Sequence, residues 1–250
     1  MSYWLLMAEM VQTLTYHPYP LSINMVNLSE PSFPKPMDWP ALTLSLKLSL
    51  WTLLLLMPLG VLLGRWLAMT DFAGRTFIQA LLALPLVLPP TVLGYYLLAI
   101  FSQSSNTGAW YQSLTGKSLA FSFEGLLIAS VIFNLPFAIQ PLKRAFEQIG
   151  RDVLDAAACC GLNRWQQFFS IELPLIWPGL LGAAVLVFAH TLGEFGVVLM
   201  VGGNIPDETR TIAISIYDSV QAFDNHSAAV MSAALLVISM LSIAAVYYLS

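Results

Sequence analysis

The chain has 250 residues, of which 58% are hydrophobic and 10% are charged. A soluble domain carries about 25% charged residues, and part of any globule must face water, so this composition excludes an ordinary soluble protein and favours burial in lipid. The net charge of −4 and the ten Lys and Arg residues, which form no basic patch, also exclude a nucleic-acid-binding protein.

Residues 1–40 precede the first long apolar run. Residues 1–14 are apolar but contain Glu9, and they lack both a basic start and a small-residue cleavage site. They are therefore not a signal peptide, and we predict a helix lying on the membrane surface. The proline-rich run 30–40 is predicted to be extended, because a proline disfavours helix in the residue before it. We expect 1–40 to be an extracytoplasmic or interfacial segment.

Five apolar stretches have about the length, roughly 20 residues, of a helix that crosses a bilayer. They are 41–64, 77–101, 125–142, 175–201 and 227–249, and because the third is short we place its start near Phe121. Polar connections lie between them, notably 102–120, 202–226 and the longest, 143–174. The predicted fold is an all-α membrane protein with five transmembrane helices in one domain, 41–250.

The orientation in the membrane follows from the distribution of Lys and Arg, which favour the cytoplasmic side. With the N-terminus outside, six of these residues lie in the inner connections: Arg65, Arg75, Lys143, Arg144, Arg151 and Arg164. Three lie in the outer segments: Lys35, Lys117 and Arg210. We therefore predict an external N-terminus, a cytoplasmic C-terminus and a cytoplasmic position for 143–174.

Three prolines, Pro85, Pro89 and Pro90, interrupt the second predicted span. Each lacks an N–H group and disturbs the helical hydrogen-bond ladder. A new helix starting near Pro89 would leave the N–H groups of the next three residues, 91–93, unpaired and partly positive, so that this end could attract an anion. A simple packing kink is the alternative that we favour.

The connection 143–174 has the pattern of two short helices around a glycine. One apolar face of small residues recurs at helical spacing: Leu154, Ala157, Ala158 and Gly161. Gly161 suits the turn that ends the first helix. Asn163 can cap a second helix, with Gln166 reaching back to it. The second helix then has an apolar side, made of Leu162, Trp165, Phe168 and Phe169, and Pro174 is predicted to open the next span.

The same connection carries a spaced motif. Asp155-Ala156-Ala157 is followed after three residues by Gly161, and after nine more by Ile171-Glu172-Leu173-Pro174. This resembles the EAA signature of permease subunits of binding-protein-dependent ABC importers, with Asp155 in place of the usual Glu. The resemblance implies a cytoplasmic coupling loop that a partner ATPase grips through Asp155, Ala156, Ala157, Gly161, Leu162, Trp165, Leu173 and Pro174. An amphipathic loop lying on lipid headgroups is the alternative.

Three further stretches look like molybdate permeases of that family. They are LPLVLPPTVLGY at 84–95, LGEFG at 192–196 and NIPDETRTI at 204–212, the last followed by Ile216-Tyr217. The LGEFG string also resembles sulfate permeases, so it does not separate the two. The similarity to molybdate permeases therefore depends on 84–95 and 204–212.

The resemblance implies a fold like that of type I ABC importer permeases, in a bacterial inner membrane. It implies a homodimer bound to two cytoplasmic ATPases, with an external binding protein that delivers the oxyanion. Molybdate or tungstate would cross by alternating access. ATP and Mg²⁺ would be bound by the ATPase, and no cofactor by this chain. A sulfate or thiosulfate permease of the same family is the closest alternative.

Charged and polar groups within the spans are candidates for the translocation path, because such groups are costly in lipid. We expect the path to include Pro89, Thr91, Tyr95, His190 and Glu194. Glu194 would repel an anion, so we favour a structural role for it. It could cap a helix break between Gly193 and Gly196, or bond across the dimer.

Other classes of protein are less well supported. A stand-alone ion-coupled carrier or channel would need paired intramembrane carboxylates or repeated broken helices, and only one Glu and no internal repeat are present. A membrane enzyme is disfavoured because the three His residues are scattered, and we predict neither catalytic nor metal-binding residues. Residues 115–118 mimic a phosphate loop but have Tyr111 where its first Gly is required. Cys159 and Cys160 are expected to be small packing residues.

Overall fold

The computed structural model describes residues 36–249, which form helices and short connections, with no strand among them. The predicted surface helix in 1–14 and residues 30–35 of the proline-rich run lie outside the described residues. In chain order the helices are α1 (Trp39–Met69), α2 (Arg75–Val87), α3 (Pro90–Phe101), α4 (Asn106–Thr115), α5 (Phe123–Glu147), α6 (Arg151–Cys159), α7 (Arg164–Gln167), α8 (Leu173–Leu175), α9 (Trp177–Gly193), α10 (Gly196–Gly202), α11 (Ile212–Gln221) and α12 (Asn225–Leu249). A π-helical turn, Phe168–Glu172, joins α7 to α8.

Membrane crossings number five within 36–249 when each sharply bent helix pair is counted as one crossing. The helices α1, α5 and Asn225–Val246 of α12 are each long and apolar enough to span a bilayer. Arg75–Val87 and Pro90–Phe101 form a pair bent by 107°, and Arg164–Leu175 and Trp177–Gly193 form a pair bent by 68°. The predicted all-α fold with five spans is confirmed, but the second and fourth spans are not continuous helices. The fourth predicted span, 175–201, is interrupted twice, at Ile176 before α9 and at 194–195 between α9 and α10.

Several predicted boundaries differ from the observed ones. Helix α1 begins at Trp39 and ends at Met69, instead of covering 41–64, and α5 extends to Glu147. The predicted connections 102–120 and 202–226 contain α4 and α11. The reason is that apolar length alone cannot detect polar helix ends, which are set by capping side chains such as Ser105, which accepts a hydrogen bond from Gly108 N–H.

At one end of the bundle, donors on α11 form hydrogen bonds with acceptors at the start of α1. The Asp38 carboxylate caps α1 by accepting from the N–H of Ala41 at 3.0 Å, and it also accepts from the Ser215 hydroxyl at 3.0 Å. The Ser45 hydroxyl accepts from the N–H of Ile212 at 2.8 Å. These bonds satisfy the first N–H groups of both helices and hold their N-terminal ends together.

The centre of the fold is the packing of α1 against α5 and α9. Glycines on α1 permit a close approach: a Cβ atom added at Gly60 would lie 3.1 Å from Ala138 Cβ, and one at Gly64 would lie 3.1 Å from Lys143 N. Small residues at helix contacts are typical of membrane proteins, where close packing replaces the hydrophobic effect as the driving force. Two apolar clusters join the three helices: Leu56, Ala138 and Val187, and Val61, Leu142, Phe146, Ile176 and Ala183.

Much of the remaining apolar surface faces outward. Only 6% of the most apolar 18-residue stretch of α12 is buried. Large side chains such as Leu236, Met240 and Leu241 are exposed. A contiguous apolar surface of this kind is stable in lipid or against another protein, but not in water.

Candidate functional site

The first part of the candidate site is the two-helix segment, residues 151–175. Helix α6 ends in a Schellman motif, in which the N–H of Leu162 donates to the carbonyl of Ala157 and the N–H of Gly161 donates to that of Ala158. Gly161 has φ +80°, a left-handed conformation that favours glycine. The prediction that Gly161 forms the turn after the first helix is confirmed.

The second helix of the segment begins with the predicted capping box. Asn163 accepts a hydrogen bond from the N–H of Gln166, and the Gln166 side chain accepts one from the N–H of Asn163, both at 2.9 Å. Gln167 then donates to the carbonyls of Leu154 and Leu162, which holds the two helices together.

The predicted opening of the next span at Pro174 is wrong. Pro174 lies within α8, and the chain bends after Leu175, at Ile176, before α9 begins at Trp177. Proline is tolerated in the first turn of a helix, where its missing N–H would have no partner, so it does not mark the bend here.

Most of the predicted coupling residues are exposed on the surface of the chain. Five of the eight are exposed, Leu162 and Leu173 are half-buried and only Ala157 is buried; the exposed ones are Asp155, Ala156, Gly161, Trp165 and Pro174. The indole of Trp165 is 74% exposed and stacks on Phe169, with ring centroids 6.3 Å apart. Small and aromatic side chains left uncovered in this way form a surface that another protein can contact.

The two adjacent cysteines belong to this exposed surface. Cys159 and Cys160 are both free thiols and both exposed. Their predicted role as packing residues within the chain is therefore wrong. Cys159 is the last residue of α6 and Cys160 follows it, and Ala157 is the buried residue of that helix.

The two-helix segment is anchored to α1 by an ion pair that sequence reasoning missed. The Arg65 guanidinium donates two hydrogen bonds to the Glu172 carboxylate, at 2.5 and 2.7 Å. Glu172 is only 1% exposed. In the sequence, Glu172 stands between Ile171 and Leu173 at the end of the EAA-like motif. Nothing there indicates a partner 107 residues away.

The second part of the candidate site is the break in the second span. Helix α2 ends at Val87 and α3 begins at Pro90, so the predicted break is confirmed. The alternative with three unpaired N–H groups, which we did not favour over a packing kink, is wrong for two of the three, because the N–H groups of Val92 and Leu93 both donate to the carbonyl of Pro89. Pro89, Thr91 and Tyr95 are exposed at and after the break.

The second interruption of the fourth span, between α9 and α10, is capped by Glu194. Its carboxylate is buried and accepts a hydrogen bond from the N–H of Val197 at 2.9 Å, in the first turn of α10. A negative group is favourable at a helix N-terminus. The predicted capping role of Glu194 is confirmed. A Cβ atom added at Gly196 would lie 2.7 Å from Pro90 Cβ, so the two breaks lie against each other.

His190 belongs to a different environment. Its Nδ1 atom lies 3.1 Å from Oδ1 of Asn134 on α5, and its ring centroid lies 4.0 Å from that of Phe137 and 5.0 Å from that of Phe133. Asn134 is fully buried and also donates to the carbonyl of Ser130 at 2.8 Å. The structure thus brings Glu194 to the second-span break but places His190 against α5.

The described part of the chain holds no candidate metal site. No group of three or more His, Cys, Asp or Glu residues within 36–249 could hold an ion. The two parts of the candidate site are an exposed two-helix surface and two adjoining helix breaks, arrangements suited to contact with a partner and to movement.

An all-helical bundle of apolar spans with an exposed two-helix segment defines a multi-pass membrane protein of the transporter class. Residues 57–250 match the family described as the binding-protein-dependent transport system inner membrane component. The chain belongs to this family, which confirms the resemblance seen in the EAA-like motif. It is a transport component of the inner membrane and not an enzyme.

Relatives of the chain within this family are permease proteins. The molybdenum transport system permease protein ModB of Azotobacter vinelandii is 45% identical over 210 residues, which cover 84% of this chain and 93% of that protein. ModB of Escherichia coli K12 is 36% identical over 82% of this chain and 91% of that protein. The sulfate transport system permease protein CysT of Escherichia coli K12 is 32% identical over 73% of this chain and 65% of that protein.

The fold is also that of a solved importer. A bacterial ABC transporter involved in the import of the acidic polysaccharide alginate matches with a TM-score of 0.68 and 18% identity, over 99% of this chain and 96% of that one. At this identity the likeness concerns the fold alone.

Proposed function

We propose that this chain is the pore-forming permease subunit of an ATP-driven importer of molybdate or tungstate. The observation that carries the proposal is the 45% identity to a molybdenum permease over 93% of that protein's length. The sulfate permease is more distant, at 32% identity. The stretches 84–95 and 204–212 supported the same substrate from the sequence alone.

Coupling to ATP hydrolysis is assigned to the two-helix segment. Its exposed small residues, Ala156 and Gly161, allow close approach of a partner, and the stacked rings of Trp165 and Phe169 supply apolar area to bury. A separate cytoplasmic ATPase would bind ATP and Mg²⁺ and move this segment when it closes. This chain itself would bind no cofactor.

The assembly we propose is a homodimer with two ATPases and an external binding protein. The N-terminus would lie outside and the C-terminus in the cytoplasm, with the two-helix segment facing the ATPase. The exposed apolar surface of α12 supports contact with lipid or with the second copy, because water would not tolerate it.

The adjoining helix breaks are the proposed site of movement in the path. Backbone without regular helix is tolerated at membrane depth where protein buries it or where it lines a cavity. Glu194 is engaged in capping α10 and repels anions, so we do not assign it to the substrate. With no charged cage formed by the path residues, the binding protein would set the choice among tetrahedral dianions.

The test is uptake by vesicles that contain the permease, the ATPase and the binding protein. We expect ATP-dependent molybdate uptake at submicromolar concentrations, blocked by tungstate but not by a large excess of sulfate. Strong competition by sulfate would instead favour a sulfate or thiosulfate permease. Uptake without ATP or ATPase would overturn the importer assignment and favour a stand-alone carrier or channel.

A further inference from the structure

The base of the two-helix segment is attached to the first span at a single charged contact. Arg65, near the end of α1, forms a two-pronged hydrogen-bonded pair with Glu172. Such a fork fixes the orientation of the two groups as well as the distance between them. Because Glu172 is almost completely buried, water cannot readily replace Arg65 as its partner.

Local backbone geometry aims Glu172 at α1. The turn Phe168–Glu172 is π-helical, and the N–H of Leu173 donates to the carbonyl of Phe168, five residues earlier. The wider turn rotates Glu172 away from the direction that a continued α-helix would give it, and π-helical turns are frequent at functional sites. The Phe168 ring also lies beneath Arg65, 5.6 Å from its guanidinium carbon.

Apolar packing continues the attachment around the ion pair. Ile176, at the bend before α9, is buried with Val61 of α1 and with Leu142 and Phe146 of α5, and Phe168 packs against the same cluster. The base of the segment is therefore joined both to α1 and to the cytoplasmic end of α5.

The first helix of the segment, in contrast, is separated from the spans by space. A cavity of about 520 Å³ lies between them, and its lining includes Met69, Phe146, Arg151, Leu154 and Gln167 as well as the Arg65–Glu172 pair. The segment is thus held at its base and unsupported on its inner side.

We propose that Arg65 and Glu172 are positioning residues that make α1 move together with the two-helix segment when the ATPase closes. This inference rests on the proposed importer function and adds the contact through which the movement reaches the spans. A force applied to the exposed surface is transmitted through the rigid base to α1, and the packing of α1 against α5 carries it into the bundle. Without the pair, the segment can follow the ATPase while α1 stays behind.

Two conservative variants test the pair. Arg65→Lys keeps the positive charge but loses the fork, and Glu172→Gln keeps the shape but loses the charge. In vesicles with ATPase and loaded binding protein, we expect ATP hydrolysis to remain within about twofold of the parent while molybdate uptake per ATP falls about tenfold or more. Asp71→Asn is the matched control: it removes the exposed Asp71–Arg75 pair, whose atoms are 2.7 Å apart, and should change neither quantity.

A second measurement reports movement without relying on transport. Spin labels at cysteines replacing the exposed residues Thr70 and Ser170, in a chain whose native cysteines are replaced by serine, give the distance between α1 and the segment. In the complete complex we expect the within-subunit distance to be the same in nucleotide-free and ATP-trapped states. In the Glu172→Gln variant it should differ between the two states.

The outcomes separate this inference from the proposed function. A parent complex that shows no ATP-dependent uptake would overturn the importer assignment itself. A coupled parent whose variants keep the same uptake per ATP and the same distances would overturn only the role of the pair. Variants that lose ATP hydrolysis and uptake together, with lower protein yield, would also overturn it, because they would show a contribution to folding alone.

Discussion

Glu194 illustrates how a charged residue inside a span can serve structure and not substrate. Its buried carboxylate accepts the N–H of Val197 and so caps the short helix α10 after the break. An uncapped helix end in a nonpolar environment would leave N–H groups without partners, which is costly. The carboxylate therefore offsets part of the free-energy cost of interrupting the helix between α9 and α10.

Two substitutions at Glu194 separate its hydrogen-bonding oxygen from its charge. Glu194→Gln keeps an acceptor for the N–H of Val197, whereas Glu194→Ala removes it. We expect Ala to lower the free energy of unfolding by about 1–2 kcal/mol and Gln to lower it by clearly less. Thermal unfolding of the purified protein in detergent measures the difference. Equal losses in both variants would show that the charge, and not the cap, is what matters.

At the scale of elements, the two broken spans support each other. The close approach of Gly196 to Pro90 places the break between α9 and α10 against the start of α3. Irregular backbone is tolerated at membrane depth only where protein buries it or a cavity adjoins it, so packing one break against the other is favourable. The proline signal in the sequence located one break, and Gly193 with Gly196 located the other.

The two-helix segment yields a prediction at Gly161. An added Cβ atom there would meet nothing within 4 Å in this chain, but φ +80° makes any L-residue cost about 1–2 kcal/mol. Gly161→Ala and Gly161→Leu should therefore lower stability similarly and leave membrane insertion intact. Only the leucine variant carries enough bulk to prevent a partner from seating.

Uptake measurements distinguish the two Gly161 variants. We expect Gly161→Leu to abolish ATP-dependent uptake in vesicles, while Gly161→Ala retains a substantial part of it. Co-purification of the ATPase with each variant identifies the defective step. Equal uptake by the two variants would contradict a tight partner surface at this turn.

At the scale of the whole molecule, ion pairs link the span ends that are predicted to lie on the inner side of the membrane. Glu147, at the end of α5, pairs with Arg75 at the start of α2 and with Lys143, at 3.1 and 3.3 Å. Arg65 and Glu172 link the end of α1 to the two-helix segment. Glu147 and Arg65 line the same cavity, so three of the residues used to predict the orientation, Arg65, Arg75 and Lys143, lie at one end of the bundle.

The orientation is tested by the side from which thiols react. The exposed native cysteines, Cys159 and Cys160, should react with a membrane-impermeant maleimide in inside-out vesicles stripped of peripheral subunits, but not in intact cells. Glu208→Cys, at an exposed position in a chain with both native cysteines replaced by serine, should react in intact cells. The reverse pattern would refute an external N-terminus and a cytoplasmic two-helix segment.

Features that depend on neighbouring residues were determined by the sequence alone. The apolar length of the spans, the turn at Gly161 and the capping box at Asn163 each arise within a few positions of the chain, so periodicity and capping rules find them. The spacing of the EAA-like motif identified the family for the same reason, because it is a pattern along one segment.

Features that depend on distant residues were decided only by the tertiary structure. The partner of Glu172 is 107 residues away, and that of His190, Asn134, is 56 residues away. Nothing in the local sequence shows which helix faces will meet. The occupancy of the N–H groups after Pro89 was also missed, because it depends on the backbone angles that the chain adopts at the break. Packing brings these groups together, and packing is a property of the whole bundle.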